Sequence, residues 1–430
     1  MAKIEFHNQG QRRRFKAAST LVVIYGTTIS LHLSPWGSHV ILGLLVLMTV
    51  HSVRLVFARS PIQAPTDSNW QPPVSILVAA KNEEAVISQL VECLCQLKYP
   101  NYDLWVVDDH SSDRTPEILK QLSQKYTQLH VLRREADAKG GKSGALNQVL
   151  PLTQGEIIGV FDADAQLEPD SLAQIIPLFQ DPQIGAIQMR KSIANAPQNF
   201  WTQGQQAEMA LDIWLQQHRI SIGGIGELRG NGQFVRRTAL QDCGGWNEQT
   251  ITDDLDLTLK LHLANWQIAC LLHPPVQEEG VTTWKQLWHQ RNRWAEGGYQ
   301  RYLDYYRLLL NSQMGISKNF DLFLFLFNQY LLPIALVPDL ILAIAWQKSP
   351  IFSPVATLAF SLSFWGMIRG IQQSYQVPFN LALLQTLRGA LYMLHWLPVM
   401  VSVTLRMAIR PKKLKWVKTL HQGLTQPKSI

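Results

Sequence analysis

Hydrophobic residues are concentrated toward the two ends of the chain, with a more polar stretch between them. Residues 17–33 and 39–57 are nearly uncharged, and their length is close to the roughly 17 to 25 residues that cross a bilayer as a helix. Residues 320–346, 351–368 and 389–403 have the same character. The pattern predicts two transmembrane helices before a polar centre and three candidate spans after it.

Basic residues beside these apolar runs predict which side of the membrane each part occupies, since cytosolic loops carry an excess of Lys and Arg. They are Arg12, Arg13, Arg14 and Lys16 before the first run, Arg54 and Arg59 after the second, and the final segment RPKKLKWVKT. The chain is therefore predicted to be a multi-pass membrane protein with its termini and central domain in the cytosol. An even number of crossings must then follow the domain, so one of the three later candidates is predicted to be re-entrant or interfacial.

This organisation divides the chain into four parts. Residues 1–60 form an amino-terminal tail and two transmembrane helices, and residues 61–318 form a cytosolic domain that includes an interfacial helix. Residues 319–408 form a second transmembrane region, and residues 409–430 form a basic cytosolic tail. The segment RSPIQAPTDSNWQPP reads as the linker from the membrane to the domain.

Charge and cysteine usage narrow the class of partner. The net charge is +7 and the pI is about 9.2. Because the basic clusters lie beside membrane helices, an anionic membrane surface explains them better than nucleic acid does. The four cysteines are Cys93, Cys95, Cys243 and Cys270. Their spacing matches no zinc site, and we interpret them as packing residues in a reducing compartment.

Short apolar runs rich in β-branched residues alternate with helical patterns in the central domain. These runs are residues 74–80, 104–109, 129–134 and 157–164. Such alternation predicts an α/β domain with a mainly parallel sheet that is covered on both faces. In open sheets of this kind the ligand binds at the carboxyl ends of the strands.

Acidic residues lie at those strand ends. Asp108 and Asp109 follow one strand, and Asp162 and Asp164 follow another in the sequence DAD. Two carboxylates one residue apart suit a divalent cation that bridges to phosphate oxygens. Two alternatives remain open: a solvated turn that caps the next helix, and a phosphatase of the haloacid dehalogenase type.

Two further segments favour a phosphate ligand. The segment KGGKSGALN, residues 139–147, combines small residues with Lys142, which suits close approach to a diphosphate. GNG at residues 230–232 would allow the backbone to approach a ligand, although each segment is also compatible with an ordinary loop or turn.

The segment ITDDLDLTLKL places Asp253, Asp254 and Asp256 in the first turn of a predicted helix. Carboxylates are common at helix starts because they complement the helix dipole. Capping explains one or two of them but not all three.

The segment QRNRWAEGGYQRY, residues 290–302, places arginines beside an aromatic ring. Arg291, Arg293 and Arg301 provide positive charge for an anionic partner, and Trp294 provides a flat face. The neighbouring aromatic residues are predicted to pack at the headgroup layer: Trp284, Trp288, Tyr299, Tyr302, Tyr305 and Tyr306.

The order of these motifs carries a family resemblance. It runs Asp108-Asp109, Lys142 to Asn147, Asp162-x-Asp164, Thr252-Asp253-Asp254 and Gln290-x-x-Arg293-Trp294. Residues 72–310 with their flanking spans resemble the membrane-bound inverting glycosyltransferases of family 2, whose fold is the nucleotide-sugar-binding type called GT-A. More narrowly, QRNRWAEGGYQRYLDYY is similar to cyanobacterial monoglucosyldiacylglycerol synthases.

The resemblance implies roles for individual residues. Asp162 and Asp164 would hold Mg²⁺ or Mn²⁺, and Asp254 would be the general base. Asp253, Gln290, Arg293 and Trp294 would complete the catalytic site; this family usually has Glu where this chain has Asp253. The implied nucleotide-binding residues are Ala80, Asn82, Glu83, Asp108, Asp109, Lys142, Asn147, Asp162 and Arg293.

The resemblance also implies the reaction, which is transfer of glucose from UDP-glucose to 1,2-diacylglycerol to give a β-linked monoglucosyl lipid. One alternative acceptor is a growing polysaccharide, as in processive synthases of the hyaluronan, cellulose or poly-N-acetylglucosamine type. The phosphatase is the alternative from another reaction class. The expected partners are a membrane lipid and an anionic membrane surface, with no nucleic acid.

Overall fold

The computed structural model describes residues 12–59, 70–310 and 314–409, together with residue 423. Most of the predicted linker and nearly all of the predicted basic tail lie outside these residues. The strands are β1 Val74–Ala80, β2 Tyr102–Asp108, β3 Leu129–Arg133, β4 Ile157–Phe161, β5 Ile184–Ile193, β6 Gln233–Arg236 and β7 Gln267–Glu278.

The helices of the described residues belong to two groups. Those of the domain are α3 Ile87–Leu94, α4 Thr115–Lys125, α5 Gly141–Val149, α6 Ser171–Ile175, α7 Phe200–Ser221, α8 Arg237–Asp242, α9 Asp253–Leu263 and α10 Trp284–Leu310. Those of the apolar flanks are α1 Arg13–Leu33, α2 Gly37–Phe57, α11 Ile316–Leu326, α12 Leu332–Ala345, α13 Ser353–Tyr375, α14 Phe379–Met393 and α15 Trp396–Ile409.

The seven strands form one sheet in the order β3-β2-β1-β4-β6-β5-β7. β6 runs antiparallel to both of its neighbours, and the other strand pairs are parallel. The predicted α/β domain with a mainly parallel sheet is therefore confirmed. All four predicted strands are present, whereas β5, β6 and β7 were not predicted.

Both faces of the sheet are covered, which explains the continuous apolar runs. Every residue of β1 is buried, and this is the pattern expected of a parallel strand that packs on both sides. Side chains of α3, α4 and α6 form the core on one face, and those of α5, α8 and α9 form the core on the other.

The register of the strands brings several chain segments to one edge of the sheet. Val160 near the end of β4 pairs with Gln233 at the start of β6, so the GNG segment lies beside the DAD segment. Ile193 at the end of β5 pairs with Glu278 at the end of β7. The site residues described below are assembled at this edge.

Four helical stretches of the described residues are long and apolar enough to cross a membrane: Gly37–Phe57, Ile316–Ala345, Ser353–Tyr375 and Phe379–Ile409. The second contains α11, a π-helical turn at Phe327–Leu331, and α12. Of the two predicted early spans, α2 is among the four and α1 is not. The reason lies in the composition of α1, which includes Arg13, Arg14, Lys16 and His32.

Candidate active site

A cavity of about 440 Å³ lies between the carboxyl edge of the sheet, α10 and the membrane helices. Much of its wall is ionisable, and part of it belongs to the apolar flanks of the chain. The lining includes Ala79, Glu83, Lys142, Asp162, Asp164, Lys191, Glu208, Asp212, Arg229, Asp253, Asp254, Glu278, Gln290, Arg293, Trp294, Arg301, Gln329, Tyr330 and Trp396.

Lys142 and Asp162 form an ion pair inside this cavity. The ammonium lies 2.5 Å from Oδ1 of Asp162. α5 begins at Gly141, so Lys142 is in its first turn and reaches from that helix to the end of β4. Removal from solvent works to raise the pKa of Asp162, but Lys142 outweighs it and the pKa lies below its usual value. The pair places mobile positive charge at the position predicted for a diphosphate.

Asp164 has a different environment. Its Oδ2 accepts a hydrogen bond of 2.8 Å from the backbone N–H of Glu279. Burial, followed by the carboxylates of Glu278 and Asp162, raises the pKa of Asp164 to about 8. Carboxylates that repel one another in this way gain stability when a cation is bound between them.

The carboxylates fit a hard divalent ion that shares its ligands with a substrate. Among the described residues, no group of three or more His, Cys, Asp or Glu side chains is arranged to hold a metal. Asp162 and Asp164 alone would leave most coordination positions to phosphate oxygens and water. This is the usual arrangement for Mg²⁺ in nucleotide-dependent enzymes.

Asp254 lines the same cavity from the amino end of α9. As predicted, Asp253, Asp254 and Asp256 occupy the first turn of that helix. Asp256 serves the structure, since its Oδ1 accepts hydrogen bonds from Asn247 and from the hydroxyl of Tyr305. Burial and the carboxylate of Asp253 raise the pKa of Asp254 to about 6, although Lys142 opposes the shift.

The GNG segment approaches Asp254 closely. Gly230 has a φ of 82°, and a Cβ at this position would lie 3.4 Å from Oδ2 of Asp254. Asn231 supports the other side of the site, because its Oδ1 accepts a 3.2 Å hydrogen bond from the backbone N–H of Asp162. The segment thus links the two groups of carboxylates.

The three arginines singled out in the sequence of α10 lie in different surroundings. Arg293 lines the cavity, and the negative charges that act on its guanidinium most strongly are those of Asp162 and Asp254. Arg291 is fully buried and is bound to Glu208 at 2.5 Å. Arg301 is bound to Glu227 at 2.7 Å and also lines the cavity.

Trp294 stands between two cations at the cavity wall. The guanidinium of Arg291 lies 4.0 Å from its ring centre, and the ammonium of Lys191 lies 5.0 Å from it. Cation–π contacts of this kind hold the ring in a fixed orientation. Of the six aromatic residues predicted to pack at the headgroup layer, Tyr299, Tyr302 and Tyr305 are buried within the protein, whereas Trp284 and Tyr306 are exposed.

The remaining predicted nucleotide-binding residues lie beside the cavity rather than in its wall. Asp108 accepts a hydrogen bond from the backbone N–H of Ser111, and Asp109 is bound to Arg134 at 2.5 Å. Ala80 ends β1, and its carbonyl accepts from the backbone N–H of Asp109. They lie where the adjacent strands β1 and β2 end, and Ala79 of β1 lines the cavity.

Asn82 and Asn147 have structural partners in the described chain. Oδ1 of Asn82 accepts a 2.8 Å hydrogen bond from the backbone N–H of Ser112. The amide of Asn147 donates to the carbonyl of Trp246 at 2.8 Å and joins α5 to the segment that precedes α9. Glu83, in contrast, lines the cavity.

Several lining residues were not predicted from the sequence. Lys191 and Glu278 pair at 2.8 Å from β5 and β7, and their proximity depends on the order of strands. Arg229 carried no distinguishing pattern. Gln329 did carry a signal, because it is an amide within an otherwise apolar run. Polar side chains within membrane helices are costly and tend to mark functional sites.

Comparison with known proteins gives consistent results. Residues 72–297 match the family described as glycosyltransferase like family 2. The chain is 59% identical over 422 residues to the beta-monoglucosyldiacylglycerol synthase of Trichormus variabilis, with 96% of this chain and 90% of that protein covered. It is 53% identical over 439 residues to the synthase of the same name from Synechocystis sp., with 98% and 91% covered.

The fold is similar to that of a mannosyltransferase from Pyrobaculum calidifontis, which was solved in complex with GDP-Man and Mn²⁺. The TM-score is 0.59 at 20% sequence identity, and the match covers 89% of this chain and 99% of that chain. This likeness supports the predicted nucleotide-sugar-binding fold.

Proposed function

The chain belongs to glycosyltransferase family 2 and is a glycosyltransferase, and from this premise we propose that it transfers glucose from UDP-glucose to 1,2-diacylglycerol. The product is a β-linked monoglucosyl lipid. Relatives that are 53% and 59% identical over nearly the full chain carry the name of this lipid synthase. The polysaccharide synthase and phosphatase alternatives are therefore not favoured.

One structural observation carries the proposal: a single cavity is lined both by charged residues of the domain and by residues of the apolar flanks. Asp162, Lys142 and Arg293 belong to the domain, whereas Gln329 and Trp396 belong to the apolar flanks. A water-soluble nucleotide sugar and a lipid alcohol can meet in such a cavity. Their reacting atoms then lie between Arg293 and Asp254.

Asp162 and Asp164 would hold Mg²⁺ or Mn²⁺ at the donor diphosphate. The bound ion supplies positive charge to the leaving group. Lys142 and Arg293 add positive charge from the protein itself, and Lys142 exchanges its bond to Asp162 for one to the diphosphate. Positive charge fixed in place before the reaction is most effective where negative charge grows as the sugar–oxygen bond breaks.

Asp254 accepts the proton of the acceptor hydroxyl as that oxygen attacks the anomeric carbon. Its raised pKa, about 6, makes it a better base than an ordinary aspartate. This pKa still lies below neutral pH, so the side chain is largely ionised there. A single displacement from the face opposite the diphosphate inverts the configuration. An α-linked donor therefore gives a β-linked product, and Trp294 provides a flat wall for the reacting sugar or acceptor.

The reaction is tested by incubating the purified protein in mixed micelles with labelled UDP-glucose, dioleoylglycerol and Mg²⁺. We expect label in a lipid-soluble product that β-glucosidase, but not α-glucosidase, releases as glucose. Label in a polymer, or release of inorganic phosphate from a phosphomonoester, would replace the proposal with one of its alternatives.

Asp254→Asn tests the assignment of the base. The amide retains the shape of the side chain but cannot accept the proton, so turnover should fall by roughly 10² to 10⁴, while UDP binding should change little. Arg293→Ala should weaken both UDP binding and turnover, because the guanidinium contacts charge already present on the donor. Loss of UDP binding in Asp254→Asn with turnover retained would make Asp254 a donor ligand instead.

A further inference from the structure

Polar residues interrupt the apolar stretch Ile316–Ala345 near its middle. The sequence there is Asn328-Gln329-Tyr330, and it forms a π-helical turn at Phe327–Leu331. Amide side chains within a membrane helix are costly, and π turns concentrate at functional sites. Two of these three residues, Gln329 and Tyr330, line the cavity described above.

The π turn is near the proposed base because both segments meet at one residue of α10. A Cβ at Gly298 would overlap the hydroxyl of Tyr330 and would lie 3.4 Å from Cδ1 of Leu255. Leu255 follows Asp254, and Tyr330 follows Gln329. The backbone of α10 is thus the only separation between the helix that carries the base and the membrane helix at this point.

Two residues that line the cavity carry polar groups that have no hydrogen-bond partner within the part of the chain that the structure describes. They are Oε1 of Gln329, which can accept, and Nε and Nη1 of Arg301, which can donate. Arg301 is only 2% exposed, and its Nη2 is already held by Glu227. Unpaired buried polar groups are costly unless a ligand pairs with them.

An apolar side chain from α15 packs in the same hydrophobic cluster as Tyr330. Trp396 lines the cavity at the start of α15, and its indole N–H donates a 2.8 Å hydrogen bond to Glu208 on α7. Glu208 is itself held by Arg291. The indole ring is therefore fixed in place with one polar atom satisfied, and its remaining surface is suited to an acyl or glycerol carbon.

We propose that Arg301, Gln329 and Trp396 form the subsite that recognises the lipid acceptor. The acceptor hydroxyl donates to Oε1 of Gln329 when the lipid binds, and it turns its single hydrogen to Asp254 as its oxygen attacks. An ester carbonyl accepts from Arg301, and the carbons beside it pack on Trp396. This inference depends on the proposed function, because it assigns the groups that select a glycerol lipid with a free hydroxyl and ester carbonyls.

Gln329→Leu tests the assignment, and Asn328→Leu is the matched control. Asn328 has an amide in the same π turn, and its Oδ1 also has no partner among the described residues, but it is not in the cavity wall. Activity is measured against dioleoylglycerol in mixed micelles at saturating UDP-glucose, together with UDP affinity. In Gln329→Leu we expect kcat/KM for dioleoylglycerol to fall about ten-fold, with UDP affinity unchanged. Asn328→Leu should match the wild type in both.

Two further measurements test Gln329 with a milder substitution, in case Gln329→Leu folds poorly, and test Arg301 with a modified acceptor. Gln329→Asn keeps the amide on a side chain one carbon shorter, and its kcat/KM should lie between those of Gln329→Leu and wild type. The wild type should use a dialkylglycerol, which lacks ester carbonyls, about ten-fold less efficiently than dioleoylglycerol.

The possible results separate this inference from the function on which it depends. Wild-type kcat/KM in Gln329→Leu, or equal losses in Gln329→Leu and Asn328→Leu, would overturn the role of Gln329. Equal use of the ether and ester lipids would overturn the role of Arg301. Failure of the wild type to glucosylate dioleoylglycerol would instead overturn the proposed function, whatever the variants show.

Discussion

Asp254, the proposed base, is surrounded by charges of both signs, and their balance determines the pH at which it is ionised. Burial and Asp253 raise its pKa to about 6, against the opposing effect of Lys142. The base must be ionised, so activity is present above this pKa and is lost as the pH falls through it. With UDP-glucose saturating, kcat/KM for the acceptor should be level above pH 7 and fall about ten-fold per pH unit well below 6.

The control for this profile is Asp254→Asn, whose residual activity should lack the acid limb. A wild-type profile that stays flat down to about pH 5 would mean that Asp254 titrates as an ordinary aspartate or is not the base. The pH dependence of UDP binding is measured separately by calorimetry, so that an effect of pH on donor binding is not mistaken for titration of the base.

Asp164 provides a second prediction at the level of one carboxylate. If it holds the divalent ion, UDP should bind wild-type protein more tightly with Mn²⁺ than with EDTA present, and Asp164→Asn should lose most of this difference. Asp170→Asn is a suitable control, because Asp170 lies on the same segment and bonds only to Gln174 among the described residues. Equal dependence on Mn²⁺ in wild type and Asp164→Asn would exclude Asp164 as a ligand.

At the level of elements, the Gly297-Gly298 pair explains how α10 can join the site to the membrane. A Cβ at Gly297 would overlap Thr252 at the start of the base helix, and one at Gly298 would overlap Tyr330. Neither contact leaves room for a side chain. α10 thus packs by its backbone against both partners.

Gly298→Ala should therefore destabilise the protein by about 1 to 3 kcal/mol through overpacking, against a gain in helix propensity of up to about 1 kcal/mol. Gly43→Ala in α2 is the matched control, because nothing lies within 4 Å of the position that its Cβ would take. Thermal unfolding in detergent measures both. A melting temperature for Gly298→Ala at or above that of Gly43→Ala would show that the contact between α10 and Tyr330 can accommodate a methyl group.

The elements also show which parts of the fold the sequence could predict. The first four strands were predictable because each is buried on both faces and so is apolar throughout, as in Val74–Ala80. The pairing of Lys191 with Glu278 was not predictable, because it requires β5 and β7 to be neighbours in the sheet. They are neighbours because β6 lies between β4 and β5, out of sequence order. Motif order pointed to Asp162, Asp254 and Arg293, which line one cavity. The part of the wall that comes from the apolar flanks was not predictable, because it depends on how separate helices pack.

For the whole molecule, contacts at the helix ends favour a specific membrane topology. Arg13 at the start of α1 is bound to Asp304 of α10, and Arg406 near the end of α15 is bound to Glu296 of α10. Both ends therefore lie beside the domain. At the other end of α1, His32 is bound to Asp339 of α12, so these two helices run side by side in the same direction.

This arrangement predicts that the membrane is crossed by α1, despite its charged start, and by α2, α11–α12 and α13. It predicts that α14–α15, although long and apolar enough to cross, is a re-entrant pair that remains on the domain side. Cysteine labelling in sealed vesicles tests it. Lys348→Cys, between α12 and α13, should react only from the side opposite the domain, and Gln376→Cys, between α13 and α14, only from the domain side. Both residues are exposed. Labelling of Lys348→Cys from the domain side would rule the arrangement out.

The cavity shared by the domain and the membrane helices has a kinetic consequence. One substrate arrives by diffusion in three dimensions from water and the other by lateral diffusion in two. The effective acceptor concentration is then a surface mole fraction, so adding inert phospholipid at constant total diacylglycerol should slow the enzyme by dilution within the plane. Because the glucosylated product is also a lipid, it leaves by the same lateral path and competes there with the next acceptor molecule.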